Sequence, residues 1–226
     1  MISDKDWVGN PSKMEVVKNR LFILDSTAYG PTNGTIQVLR INTVLLIIEW
    51  ERIIDATDFA LSGVQSRLND FDILPTWSWS SSWLILLVTV DNTGIAYGFF
   101  DPYDQSSLRL YPRGSISLME DPNIEPFELD DSKFLQIELL NMNDTISLMK
   151  YDLILTVSHG RHLQLHLEFD ASSKIVCSLT TTYRKYGNLV PHNWARGVAG
   201  GVDYTGSPID RSYLLISYRN QQQDGQ

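Results

Sequence analysis

The chain has 226 residues, 43% hydrophobic and 20% charged, with a formal net charge of −9 and a pI near 4.8. That composition is globular and not disordered, and area scaling buries about 70% of the unfolded surface, enough for a core without disulfides or metals. The acidic balance excludes a generic nucleic-acid coat, which needs a basic footprint, and disfavours electrostatic attraction to anionic membranes.

Residues 1–19 carry acids early and no apolar run. No secretory signal is expected there, and the expected compartment is the cytoplasm. The longest apolar runs are Val44–Ile48 and Trp83–Val88, far too short to span a membrane as helices. Cys177 is the only cysteine. It allows no internal disulfide and no cysteine zinc site, and it reads as an inert thiol on a strand face.

In chain order, Asn10-Pro11 reads as a helix cap followed by proline, and Met14, Val17 and Leu21 recur with helical spacing. A short helix is predicted over 11–18. Leu21–Leu24 reads as a strand, and Gly30, Pro31 and Gly34 break the chain after it. Thr35–Ile41 and Thr43–Trp50 are rich in β-branched residues and read as strands. A second helix is predicted over 57–69, capped by Asp55 or Thr57, with Leu61, Val64 and Leu68 on one face.

From there the pattern is β. Trp83–Asp91 and Ile95–Phe100 flank Asn92-Thr93-Gly94, a hairpin loop with glycine where φ is positive. Short strands are expected near 107–111 and 115–119, and Asp121–Asp131 as an acidic loop. Phe134–Leu140 and Thr145–Val157 resume the pattern, with Asn141–Asp144 as a turn. In Arg161–Asp170, Leu163, Leu165, Leu167 and Phe169 alternate with His162, Gln164, His166 and Glu168, giving one buried and one wet face. This strand is expected to pair back to Asp152–Val157 and forward to Ile175–Tyr183. Residues 184–211 read as irregular, and Ser212–Arg219 as a closing strand. The prediction is a mainly β fold, an antiparallel two-sheet β-sandwich or jelly-roll, as a single domain over 1–219 with a polar tail at 220–226.

Three constellations could carry chemistry. Trp77, Trp79 and Trp83 are separated by small polar residues and share one face if extended, so they could fill the space between sheets or form a ridge for protein or carbohydrate. The wet face His162, Gln164 and His166 is a second candidate contact surface. His162 and His166 stand about 13 Å apart along a strand, too far to share one metal without a bulge. Asp101 and Asp104, in Asp-Pro-Tyr-Asp, are the best calcium candidates, because a turn brings two carboxylates together. They open a segment, 101–144, with ten acids against three bases.

No glycine-framed serine and no phosphate loop occurs. The expected function is a non-enzymatic binding or assembly module with a protein partner or homo-oligomer, or a carbohydrate ligand. No nucleic acid, no membrane span and no cofactor are expected. The alternatives are a structural subunit of a larger shell or matrix, and a metal-assisted hydrolase built on His159–His166.

Overall fold

The computed structural model describes residues 11–25, 34–61, 67–74, 76, 83–90, 94–104, 107–118, 134–144, 148–157, 161–170, 172, 176–184, 194–203 and 211–219. The fold is mainly β and its mapped strand pairs are antiparallel. The chain groups into two compact units, Met1–Thr76 with Ser80–Ile116, and Trp77–Trp79 with Ser117–Gln226. The sequence reading placed one domain over 1–219; its tail, 220–226, lies outside the described residues.

The first unit is a two-sheet sandwich. One sheet has the order β1 (Pro11–Val17), β2 (Arg20–Asp25), β3 (Thr35–Asn42), β4 (Ile47–Ile54). The other has the order β5 (Leu68–Leu74), β6 (Leu84–Val90), β7 (Gly94–Phe100), β8 (Tyr111–Ser117). Alternation in the first sheet turns Phe22, Leu24, Ile36, Val38 and Ile54 inward, where they meet Phe71, Ile73, Leu86, Val88 and Phe100 of the second. Phe22 lies at the centre, its ring 5.5 Å from Phe100 and 6.4 Å from Phe71 in tilted contacts. β7 is buried along its whole length, and β6 from Ile85 onward. This explains why those segments read as continuous apolar runs, not as alternation.

The second unit has a four-stranded meander, β12 (Val176–Arg184), β11 (Arg161–Asp170), β10 (Leu148–Val157), β9 (Phe134–Asp144), and a hairpin, β13 (Trp194–Asp203) with β14 (Arg211–Arg219). β13 lies against β9. β11 has the predicted bounds and pairs on both sides as predicted. Leu163, Leu165, Leu167 and Phe169 stand opposite Leu155, Leu153, Tyr151 and Met149, and all eight are buried. Phe169 meets the edge of Tyr151 at 5.7 Å.

Several sequence expectations are corrected. The helix over 11–18 is strand β1. Met14 and Val16 alternate with Lys13 and Glu15, and β1 is an edge strand, where proline is tolerated because half of the backbone N–H groups face no partner. A tight turn at Lys18 (φ 57°) returns the chain to β2. Of the segment 57–69 predicted as a helix, the described residues form a 3-10 turn, Ala56–Phe59, and the start of β5; residues 62–66 lie outside the described residues. Asp55 caps the 3-10 turn as expected, with a reciprocal bond from the Asp55 N–H to the Asp58 carboxylate. Ala60 then takes a left-handed backbone (φ 58°) that ends the helix, and Leu68 begins β5.

Asn141–Asp144 belongs to β9, and a register shift at Asp152/Leu153 absorbs the extra length. The two short strands near 107–111 and 115–119 are one strand, β8. Residues 194–203, read as irregular, form β13. Its glycines 197, 200 and 201 weaken the β signal, but Ser217, Leu214 and Tyr213 face them from β14.

Candidate functional site

Trp77, Trp79 and His159 lie outside the described residues. Trp83 precedes β6 and is half-buried, with its ring 5.1 Å from that of Tyr111. Its carbonyl accepts a hydrogen bond from the Thr76 hydroxyl. His162 stands opposite Thr156 and Arg184, and its side chain lies outside the described residues. Gln164 is half-buried between Ile154 and Thr182.

His166 sits within a row of charges. Its Nδ1 is 2.5 Å from Asp152 Oδ1 and its Nε2 is 3.6 Å from Glu168 Oε1. Lys150 Nζ lies 2.7 Å from the same Glu168 oxygen. The hydrogen bond from Lys150 holds Glu168 below the usual carboxylate range. Desolvation opposes this, and the lysine charge and His166 reinforce it. The partners follow directly from register, since Asp152 faces His166 and Lys150 faces Glu168 across β10 and β11. The arrangement is an ion-pair ladder on a wet face.

The Asp101–Asp104 turn exists as predicted. Asp101 Oδ1 accepts the Tyr103 N–H at 2.9 Å, and the Asp104 N–H donates to the Asp101 carbonyl at 3.3 Å. The carbonyls of Pro102 and Asp104, however, face inward to Arg20, at 2.6 and 2.5 Å. Among the described residues no group of three or more His, Cys, Asp or Glu side chains could hold a metal ion.

Arg20 belongs to a buried charge cluster that the sequence reading missed. Its Nε and Nη2 reach the two oxygens of Glu51 at 2.9 and 3.0 Å. Glu51 Oε1 also accepts from Arg40 at 2.9 Å and from the Leu108 N–H at 2.7 Å. Burial acts to raise the Glu51 pKa, but the bonds from Arg20 and Arg40, the Arg20 charge and the Leu108 amide together hold it below the usual value. A bulge delivers Glu51: pairing steps from Val38–Arg52 to Leu39–Trp50, leaving Glu51 as the extra residue. With four donors on one carboxylate, this cluster clamps the 101–104 turn and the segment before β8 at Leu108. It is not arranged for proton transfer.

The most unusual surface is the distal end of the β3–β4 hairpin. Ile36, Val38 and Ile54 mark where the hairpin is anchored in the core. Beyond them it runs on as a two-stranded ribbon, pairing Ile41 with Ile48 and Asn42 with Ile47. The residues from Thr43 to Trp50 are exposed. Val44 and Leu46 are each 88% exposed and Trp50 62%, with Leu45, Ile47, Ile48 and Ile53 also open to solvent. Adjacent strand positions point to opposite faces, so Ile47 and Ile48 leave both faces of the ribbon apolar. On the outward face of the same sheet, Val16, Leu21, Leu39 and Trp50 share one register row, in which Val16 and Trp50 are exposed and Leu39 is buried. No sequence signal marks this tip: Val44–Ile48 has none of the Gly, Asn or Asp of a hairpin turn, so the run reads as a buried strand.

No protein-family model matches this chain, and no curated protein matches it.

Proposed function

We propose that this chain is a non-enzymatic binding module whose contact surface is the distal β3–β4 ribbon. The observation that carries this reading is the exposure of Val44, Leu46 and Trp50 on a segment with no charged side chain from Ile41 to Ile48. Isolated exposed apolar residues are ordinary, whereas a contiguous group at a projecting tip marks a contact surface. The reading keeps the expectation of a binding or assembly role. It adds the ribbon to the expected contacts at Trp77, Trp79, Trp83, His162, Gln164 and His166, of which His166 is engaged by Asp152 and Trp83 packs on Tyr111.

A photo-crosslinking side chain placed at Val44 or Trp50 tests this in the complete chain, in native extract that retains its membranes. Adducts, whether with protein or lipid, should form from both positions and not from Tyr103, which is exposed on the 101–104 turn. Equal labelling from all three positions would remove the ribbon as a specific contact surface.

A further inference from the structure

We propose that the tip of the β3–β4 ribbon inserts into the interfacial layer of an electrically neutral lipid bilayer. This rests on the binding-module reading and names its partner. Four observations bear on it.

First, the apolar surface closes around the tip. Ile47 lies on one face, Ile48 with Ile41 on the other, and Val44, Leu45 and Leu46 at the end. A flat protein surface docked on one face would leave the other face wet. A surrounding apolar medium covers both at once.

Second, the turn meets a demand that lipid makes and water does not. In hydrocarbon an unpaired backbone N–H is costly, whereas at a wet hairpin tip solvent would satisfy it. Here Asn42 Oδ1 accepts the N–H groups of both Val44 and Leu45, at 3.1 and 3.0 Å. The turn thus offers apolar side chains to the outside while a side chain from within the hairpin pairs two of its backbone donors.

Third, Leu46 takes a left-handed backbone, φ 53°. Glycine or asparagine is the residue of least strain there. A leucine at that position, with its side chain in solvent, works against folding, and strain of this kind collects at functional positions.

Fourth, the charges set the depth and the lipid type. The segment 41–48 has no charge, and Arg40 and Glu49 stand opposite each other just below it. Trp50 lies four residues from Leu46, about 13 Å along the strand, where an amphipathic ring suits the headgroup layer. An apolar element of this size penetrates about 5–10 Å. A net charge of −9 repels anionic headgroups, so neutral lipid is the favoured surface and the driving force is burial of apolar area. Among the described residues no helix is long and apolar enough to cross a membrane; the mode proposed is interfacial.

The test is co-sedimentation of the complete chain with phosphatidylcholine vesicles, in low and high salt. A polarity-sensitive label attached at position 45 reports insertion. The wild-type chain should partition onto neutral vesicles equally at both salt concentrations, and the label should shift to the blue. Val44→Asp with Leu46→Asp should lower partition about 100-fold, since two exposed aliphatic side chains supply much of the burial. Leu46→Met should keep it. Circular dichroism and thermal melting establish that each variant is folded.

Failure of a folded wild-type chain to bind phosphatidylcholine overturns the proposal, as does binding that requires anionic lipid. Crosslinks from Val44 and Trp50 to protein, without vesicle binding, would replace lipid by a protein cleft and leave the binding-module reading standing. Ribbon variants that alter neither vesicle partition nor crosslinking would overturn both.

Discussion

Arg20 and Glu51 meet through two bonds of 2.9 and 3.0 Å, with side chains only 1% and 4% exposed. The guanidinium fork matches the carboxylate edge to edge, and its remaining donors reach the Pro102 and Asp104 carbonyls. Such a pair depends on complete pairing. Its members have lost their water, and either one left alone in the interior keeps the desolvation cost without the compensating charge.

Glu51→Gln should therefore destabilise the first unit by about 3–5 kcal/mol, because it leaves Arg20 charged and buried. Urea unfolding measures this. A change under about 1 kcal/mol would mean that solvent reaches the cluster. The paired change Arg20→Met with Glu51→Leu removes both charges, and it should cost less than the single change.

Acid should weaken the fold through the same carboxylate. The Glu51 pKa is lowered in the folded state, so protons bind more readily to the unfolded chain. Its stabilisation is fully present above the ordinary value of 4.5 and is lost as pH falls through the lower folded value. Glu168 is lowered too and contributes with the same sign, but it is solvated and adds little. Unfolding free energy followed from pH 6 down to about pH 3 should fall in the wild-type chain. It should fall less steeply in Glu51→Gln, and parallel curves would exclude Glu51 as the linked group.

The sequence was legible where one physical signal dominated. β11 was read to its end residues because Leu163, Leu165, Leu167 and Phe169 alternate without interruption. The cap at Asp55 was legible because capping is local chemistry. Errors arose where local and distant signals compete. Pro11 with Met14 and Val17 imitates a helix start, and pairing with β2 overrides it. Glu51 gave no signal, since its partners lie 31, 11 and 57 residues away and a bulge aims its side chain. The run Val44–Ile48 was misplaced for a different reason. Periodicity identifies apolar side chains but assumes that apolar means buried, and here Val44–Leu46 form an exposed turn.

Gly34 should tolerate no side chain. Its φ is +81°, and a Cβ built there would collide with the backbone carbonyl of Leu68 at the start of β5. The left-handed backbone alone costs an alanine about 1–3 kcal/mol, and the neighbour is main chain that cannot rotate away. Gly34→Ala should lower the midpoint of thermal unfolding by well over the few degrees typical of surface changes. An unchanged midpoint would show that β3 and β5 do not approach so closely.

Leu46→Asn should move stability and binding in opposite directions. Asparagine accepts the left-handed backbone that leucine adopts at a cost of about 1 kcal/mol, and the leucine side chain, 88% exposed, gives up little packing when replaced. Unfolding free energy should rise by about 0.5–1 kcal/mol, read as a small increase in the melting midpoint. The same change removes an aliphatic side chain from the tip, so vesicle partition should fall by about tenfold. A residue selected only for folding would lose stability on this exchange and leave vesicle partition unchanged. A melting midpoint that falls would mean that Leu46 packs against the protein, and the exposed tip would then be an incorrect description of the ribbon.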